Sequence, residues 1–511
     1  MGVNTKSFDN ASDMITFSRA SGAYGLTKVS YGSELVTNGT FDTDVSGWTA
    51  STANVSLASV GGQFELTNNG VGAAYQSFTT VVGATYKLEF DYITRNGSGQ
   101  FRVGTVIGAF EYAIASSVGQ RTVYFVATTT TTFISMFDNA GGAGVVNIFD
   151  NVSVKEVTYN SSAADATLQL TYHPNDVPRI EYNTDGTAKG LLVEEARTNL
   201  ITYSEFTGGW AGKTQITLSP NSVTSPTGNQ DGALVTSSGI DPYAFNFTSV
   251  SAGNDYTFTV WLKGVGNTVG RAPKVWMLNN SATMTSVVAD TTPLSSEWQR
   301  YTATATCTVS GTTLARIDFD NSGLSVSGEQ VQVFGAQFEA GSFPTSYIKT
   351  TGATATRSAD IASIPVADFG YNYTNTVGTF LVDWNTFSTG TGRVFVATSL
   401  SSATGNRAVD MNFDISSSRF DVYSNHTGGD LYQLGAPSSV GNKVAAAMKE
   451  NNSAAVLNGG TVKTDTATGT PITATHFHFG LYGSSYLNGH IKSIKYYPRR
   501  LTNAQLQELT T

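Results

Sequence analysis

Residues 34–48 read ELVTNGTFDTDVSGW, and residues 199–210 read NLITYSEFTGGW. Further along the chain, GATYKLEFDY (83–92) is echoed by GNDYTFTVWL (253–262). A repeat of more than about a hundred residues is too long for a solenoid unit and has the size of a whole β-domain. The chain therefore carries two copies of one sandwich-sized module.

The composition predicts an all-β protein. A chain of 511 residues has room for about three or four domains. Only 13% of the residues are charged, so the surfaces of long helices lack the Lys, Glu and Arg they need. Aromatic residues make up 11% and Gly numbers 52, which suits short strands separated by tight turns.

The net charge and the N-terminal sequence limit the expected binding partners and the expected place of synthesis. The formal net charge is −9 with 29 Lys and Arg and no basic run, which argues against nucleic acid and anionic membrane as partners. No stretch of about 18 apolar residues occurs, so we expect no membrane insertion. The start, MGVNTKSFDNASD, lacks the parts of a secretory signal, and we expect synthesis in the cytoplasm. The single Cys307 lies in an alternating run and is predicted to be a buried apolar residue.

Strand patterns divide the chain into three β-sandwich or jelly-roll domains joined by extended arms. Glu194, Glu195 and Arg197 are predicted to anchor these arms against the modules. Thr502 as N-cap with Gln505 at N3 predicts one short C-terminal helix. The predicted segments are an N-terminal arm (1–33), an inserted jelly roll (34–157), a connector (158–198), a second jelly roll (199–348), a linker (349–375) and a third β-domain (376–511).

Three groups of phrases resemble known families. ELVTNGTFDTDVSGW with FDNVSVKEV resembles jelly-roll carbohydrate-binding modules. The arm phrases TFSRASGAY, VPRIEY, GLLVEEARTNLITYSEF and GAQFEAGSFPTSYIKTTGATATRSAD resemble bacteriophage tail-fibre and head-fibre proteins. GTFLVDW, KVAAAMKENNSAAVLNGG and LNGHIKSIKYYPRRLTNAQLQELT resemble a concanavalin A-like (laminin G-like) lectin domain, which would occupy 376–511. In the fibre pattern the first arm runs on to PRIEY, so 34–157 is interpreted as an insertion.

The resemblance implies a virion adhesin assembled in the host cytoplasm. Its expected partners are a host-surface polysaccharide or glycan and other virion proteins, and the expected assembly is a homo-oligomer, a trimer by resemblance. Such jelly rolls often hold a structural calcium ion, and the residues at the matching positions are Asp42 and Asp150. The second copy has Phe206-Thr207 and Gly335-Ala336 there and lacks both acids.

Sugar recognition needs flat aromatic faces and planar polar groups. Trp48 and Trp210 recur at one place in both copies next to Gly, which favours a packing role. The residues predicted to contact carbohydrate are Tyr243, Trp276 and Trp298 in the second module and Trp384, Tyr423, His426, Tyr432 and Tyr482 in the third domain.

No catalytic constellation is predicted. Glucanases of the concanavalin A-like fold carry paired glutamates on one strand face. The nearest run here, VDMNFD, offers Asp410 and Asp414 around a central Asn412. His476 and His478 share one face of a strand and are interpreted as a solvent-facing pair.

These observations leave several functions open. The first is a phage virion or fibre protein that attaches to host glycans through non-catalytic sandwiches. The alternatives are a purely structural spacer or decoration protein, a bacterial surface or secreted glycan-binding protein, and a depolymerase, which would need paired acids in a cleft.

Overall fold

The structure, a computed structural model, consists almost wholly of antiparallel β-sheets, which confirms the all-β prediction. None of its helices is long and apolar enough to cross a membrane, within the residues described. Those residues are 4–7, 15–138, 142–239, 241–319, 327–368, 377–388, 390–398, 407–414, 419–424, 430–438, 441–466 and 474–511.

Residues 28–167 form one compact unit, and residues 1–27 together with 168–511 form the other. In the first unit, one sheet has the order β10-β9-β12-β7-β4, and the other contains β11-β8-β13-β3 with β6 paired to β13 and β5 to β6. The strands up to the end of this unit are β1 (Asn4–Ser7), β2 (Thr16–Ser18), β3 (Ala23–Tyr31), β4 (Thr49–Ala50), β5 (Val55–Val60), β6 (Gln63–Asn68), β7 (Gly72–Thr79), β8 (Thr85–Thr94), β9 (Gly99–Gly104), β10 (Ala113–Ala115), β11 (Gly119–Val126), β12 (Thr131–Asp138) and β13 (Val145–Tyr159).

The second module is a sandwich of a four-stranded and a six-stranded sheet, with orders β18-β21-β26-β23 and β19-β20-β27-β22-β25-β24. A short 3₁₀ turn covers Gly266–Thr268. The strands of the connector and this module are β14 (Thr167–His173), β15 (Ile180–Tyr182), β16 (Ala188–Val193), β17 (Arg197–Asn199), β18 (Ala211–Thr214), β19 (Ile216–Val223), β20 (Gly232–Ser237), β21 (Tyr243–Val250), β22 (Asp255–Val265), β23 (Lys274–Asn279), β24 (Thr283–Val288), β25 (Gln299–Val309), β26 (Gly311–Asp318) and β27 (Gln330–Ala340).

The C-terminal sandwich and the short helix α1 (Asn503–Thr510) follow the linker. Thr502 accepts the N–H of Gln505, and the Gln505 side chain returns to the N-cap backbone, which confirms the predicted capping box. The strands are β28 (Ala355–Arg357), β29 (Ile361–Pro365), β30 (Gly378–Trp384), β31 (Thr391–Thr398), β32 (Arg407–Asp414), β33 (Arg419–Ser424), β34 (Asp430–Gln433), β35 (Asn442–Met448), β36 (Ser453–Leu457), β37 (Lys463–Asp465), β38 (His476–Phe479), β39 (Leu481–Tyr482), β40 (Ser485–Tyr486) and β41 (Gly489–Tyr497).

The segments predicted as extended arms contribute strands to the C-terminal sandwich. One of its sheets has the order β15-β16-β41-β30-β35-β36-β37, with β1 also paired to β41. The other has the order β2-β29-β38-β31-β32-β33-β34. The N-terminal arm, the connector and the linker therefore complete sheets whose edge groups would otherwise lack hydrogen-bond partners.

The doubled phrase forms the same corner in both modules. Phe41 and Phe206, at matching positions, adopt left-handed backbone conformations with φ of 52° and 61°. Each ring packs on the tryptophan of its phrase, with centroid distances of 5.6 Å to Trp48 and 4.3 Å to Trp210. Both indoles are buried, as the packing interpretation predicted. A positive φ at phenylalanine is uncommon, so the surrounding packing fixes this conformation.

A buried ionic cluster joins the arm phrases. We define it as Arg19, Arg179, Glu194, Arg357 and Asp360, whose side chains are at most 1% exposed. Asp360 accepts a hydrogen bond from Arg19 Nη1 at 3.2 Å and one from Arg179 Nη2 at 2.5 Å. Glu194 Oε2 lies 3.0 Å from Arg179 Nη1. Three guanidinium groups and two carboxylates thus lie together away from water, with one positive charge in excess.

The charges fix the ionisation state of this cluster. Burial acts to raise the pKa of Glu194, but Arg357, Arg179 and the hydrogen bonds from Ser346 outweigh it and hold that pKa at about 2. Burial and the neighbouring Arg179 lower the pKa of Arg19 to about 10. The ion-paired state therefore persists across the neutral pH range. Of the predicted anchors, Glu194 belongs to the cluster, while Arg197 pairs with Glu195 beside it at 2.6 Å.

Candidate functional site

Strand β21 carries a stripe of aromatic side chains on the outer face of the second module. Tyr243, Phe245 and Phe247 alternate with the buried Ala244 and Asn246. Successive side chains of a strand point to opposite faces, so the three rings share the side away from the core. Phe247 is 50% exposed, and a continuous row of aromatic rings on an outer sheet face marks a candidate contact surface.

The neighbouring strands add charges to this surface. In the register of the sheet, Arg316 of β26 pairs with Phe245 on one side and Trp276 of β23 on the other. One step along, Asp318 pairs with Tyr243 and with Lys274. We call this set, namely Tyr243, Phe245, Phe247, Lys274, Trp276, Arg316 and Asp318, the aromatic face.

Asp318 holds the aromatic face together. Its two carboxylate oxygens accept Trp276 Nε1–H at 2.8 Å and Arg316 Nε–H at 2.6 Å. The Arg316 guanidinium lies 3.8 Å from the centre of the Tyr243 ring, and Lys274 Nζ lies 3.6 Å from the Trp276 ring. Because these are cation–π distances, the rings stand in fixed orientations before any ligand arrives.

The aromatic face retains free hydrogen-bond donors. Within the part of the chain that the structure describes, neither the terminal nitrogens of Arg316 nor Nζ of Lys274 donates a hydrogen bond. The open rings of Phe245 and Phe247 meet edge to face with centroids 5.2 Å apart. Flat apolar surface beside planar and cationic donors suits a ligand that presents both C–H faces and oxygen acceptors, as a saccharide does.

The structure brings two of the predicted carbohydrate contacts together and separates the third. Tyr243 and Trp276 flank Arg316 on the aromatic face. Trp298 precedes β25 of the other sheet, is half-buried, and donates its indole N–H to the carbonyl of Thr224 at 3.2 Å. It therefore packs at the opposite side of the sandwich.

The predicted contacts in the C-terminal sandwich do not form a site. Trp384 is only 1% exposed and stacks on Phe413 and Phe420, so the sugar-contact prediction for this residue is corrected to a core role. Tyr482 lies half-buried in the β39–β40 hairpin. His426 lies outside the described residues, and Tyr423 and Tyr432 lie in β33 and β34 without described side chains.

Sequence reasoning missed Phe245, Phe247, Lys274 and Arg316. The signal was present in YAFNF (243–247), where aromatic residues occupy alternate positions of one strand. An isolated strand does not reveal whether such a stripe faces the core, because the alternation is the same for both faces.

The corresponding face of the first module has a different chemistry. Tyr75 pairs with Ser135, and Ser135 pairs with Arg102, so the arginine lies one strand further out. Its guanidinium lies 4.0 Å from the Phe137 ring and 5.2 Å from the Phe110 ring. It also donates hydrogen bonds to Gln100 and Gly108. The two modules share a fold but not the arrangement of this face.

The residues predicted to bind calcium, Asp42 and Asp150, do not assemble a metal group. Asp42 is exposed and accepts the Thr40 hydroxyl at 2.7 Å. Burial, followed by the charges of Asp91 and Asp42, raises the pKa of Asp150. Among the residues that the structure describes, no group of three or more Asp, Glu, His or Cys side chains is placed to hold a metal ion. The calcium site stays a prediction from resemblance.

The other polar strand residues are held by the protein itself. Asp410 is fully buried, and its carboxylate lies 3.2 Å from Arg393. His478 is 1% exposed, so the interpretation of His476 and His478 as a solvent-facing pair is wrong for His478. It lies on the inner strand β38 between β29 and β31, where little solvent reaches. These groups do not form a paired-acid cleft.

Comparisons with known proteins add similarity of fold class only. No protein-family model and no curated protein matches the chain. Solved structures with similarity include a CBM40 module of a Ruminococcus gnavus IT-sialidase bound to α2,3-sialyllactose, at 15% identity and a TM-score of 0.24, covering 27% of this chain and 84% of that one. A CBM22 tandem from Paenibacillus barcinonensis Xyn10C shows 10% identity and a TM-score of 0.21, and the match covers 61% of this chain and 98% of that one. A Trypanosoma rangeli sialidase shows 10% identity and a TM-score of 0.25, and the match covers 94% of this chain and 97% of that one. Similarity at this level carries no argument about ligand or activity.

Proposed function

We propose that this protein is a non-catalytic glycan-binding protein of a phage virion, which contacts host-surface saccharide through the aromatic face of its second module. The observation that carries the binding proposal is the pre-ordered set of Tyr243, Trp276, Arg316 and Asp318 beside the exposed ring of Phe247. A ligand that meets rings already held in place loses little side-chain entropy on binding.

The virion part of the proposal rests on the arm phrases, whose resemblance is to fibre proteins. A trimer, as expected from that resemblance, would present three such faces, and avidity would convert weak single contacts into firm adsorption. Antibodies raised against the protein should decorate intact virions in electron micrographs. Undecorated virions would remove the virion role and leave a bacterial glycan-binding protein as the remaining source.

A glycan array of the intact protein tests the binding. Phe247→Ala is expected to weaken the strongest glycan signal about tenfold, or ~1.4 kcal/mol, because it removes the exposed ring without disturbing the core. Phe110→Ala is the matched control, since Phe110 is 55% exposed in the other module. An array on which the intact protein binds nothing would favour the alternative of a structural spacer. Equal glycan signals from both variants would show that the aromatic face is not the binding site.

One observation is compatible with that alternative. The buried ionic cluster ties the N-terminal arm, connector and linker into one unit, which is what a load-bearing spacer needs.

A further inference from the structure

A lysine-rich cleft opens on the outer face of the C-terminal sandwich. We define it as the cavity of about 560 Å³ whose lining includes Lys189, Asp383, Asn385, Lys443, Asn458 and Lys492. Its volume falls within the range of small-molecule sites, about 300–1,000 Å³. Trp384, one of the predicted carbohydrate contacts, belongs to the lining, although its side chain is buried in the core.

Four strands of one sheet place these side chains. On β30, Val382 and Trp384 point into the core, so Asp383 between them points outward. In register, Asp383 pairs with Lys443 of β35 on one side and Ser493 of β41 on the other. Helix α1 packs over Leu381 and its neighbours, which leaves Asp383 in the open part of the same face.

The cleft carries an excess of positive charge. Among the side chains that line it, three ammonium groups accompany one carboxylate, that of Asp383, in a chain whose formal net charge is −9. Lys443 Nζ donates to the carbonyl of Thr511 at 2.5 Å. Within the described part of the chain, neither Lys189 nor Lys492 makes a hydrogen bond or a close ion pair. The charge of Lys189 acts on the carboxylate of Glu181, and that of Lys492 acts on Asp383. Burial raises the pKa of Asp383, although Lys492, Lys443 and Lys495 act against it.

The polar wall of the cleft is already ordered. Asn385 Oδ1 accepts the backbone N–H of His490 at 2.9 Å, and Asn458 Oδ1 accepts that of Lys443 at 2.8 Å. The ring of Phe387 meets the His490 ring edge-on at 5.2 Å, which closes one side with an apolar surface. Fixed amides, an apolar wall and a carboxylate are suited to hydroxyl groups, while Lys189 and Lys492, which lack a close ion-pair partner, are suited to an anion.

From this arrangement, we propose that the lysine cleft binds a saccharide carrying an anionic substituent. Lys189 and Lys492 would pair with the carboxylate or sulfate of the sugar, and Asp383 would accept its hydroxyl hydrogens. A neutral sugar would leave both ammonium groups without a direct ion pair. This site lies on a different domain from the aromatic face and does not depend on the function proposed for that face.

Calorimetric titration of the full chain tests the proposal with three probes of equal length, namely a galacturonate trisaccharide, a sulfated galactose trisaccharide and neutral galactotriose. We expect at least one anionic probe to bind and the neutral one not to bind. The Lys189→Gln/Lys492→Gln double variant should weaken that binding at least tenfold, and raised salt should weaken it in the wild type. The two anionic probes show which substituent the cleft takes.

The control is Lys463→Gln, an exposed lysine of the same sandwich, which should bind as the wild type does. The Phe247→Ala variant should also bind the anionic probe normally, so failure of the aromatic face and failure of the cleft are distinguishable. Equal binding of neutral and anionic probes, an unchanged affinity in the double variant, or no binding at all would each overturn the proposal.

Discussion

Replacing Asp360 by alanine is expected to lower the free energy of unfolding of the unit formed by 1–27 and 168–511 by about 3–5 kcal/mol. The carboxylate bridges Arg19 and Arg179 and accepts the backbone N–H of Glu194 at 2.9 Å. Its side chain is 0% exposed. Removal leaves two guanidinium groups buried with too little negative charge, and water does not replace the missing partner.

Denaturant unfolding of the full chain measures this loss. The module at 28–167 has its own core, so we expect two transitions, of which only the one belonging to the other unit shifts. Asp241→Ala is the matched control, because Asp241 is exposed in the same unit. Coincident curves for wild type and Asp360→Ala would show that the cluster contributes no stability.

Trp384→Ala is expected to cost about 3–5 kcal/mol of unfolding free energy, since it empties the centre of the C-terminal sandwich. The indole packs 5.2 Å from the Phe413 ring and 5.5 Å from the Phe420 ring, centre to centre. No sugar reaches a ring that is 1% exposed.

Thermal unfolding together with the glycan array distinguishes a core role of Trp384 from a sugar-binding role. Trp298→Ala is the comparison, because this half-buried ring leaves a smaller cavity and should cost less. Below its melting temperature, Trp384→Ala should keep the wild-type glycan signal. A variant of normal stability that has lost the signal would contradict the core assignment.

The all-β class and the terminal helix are predicted well from the sequence, because composition and local patterns determine them. The repeated phrase around Trp48 and Trp210 and the capping box at Thr502 are readable within about fifteen residues. Which face of a strand points into the core cannot be read from so short a stretch. Trp276 and Trp384 both sit in short apolar strands, KVWML and TFLVDW. Only the partner strands and the other sheet decide that the first lies on the outer face and the second in the core.

Features assembled from distant segments were beyond the sequence. Arg19 and Asp360 lie 341 residues apart, and nothing local indicates that they meet. The lysine cleft likewise draws Lys189, Lys443 and Lys492 from three separate strands. The available signal was the scarcity of charge. In a chain of which only 13% is charged, Arg and Asp that recur in the arms indicate structural ion pairs.

The way the inserted module begins and ends bears on how the chain folds. Its entering and leaving strands are hydrogen-bonded neighbours, with Val29 opposite Tyr159 and Tyr31 opposite Val157. Once this module has folded, its two ends are neighbours, so it adds only a short loop to the surrounding chain. The entropic cost of bringing Arg19 to Asp360 then grows only with the logarithm of the remaining loop length. A module with different specificity and the same paired ends is therefore exchangeable at this point, which makes residues 29–31 and 157–159 the natural junctions for domain grafting.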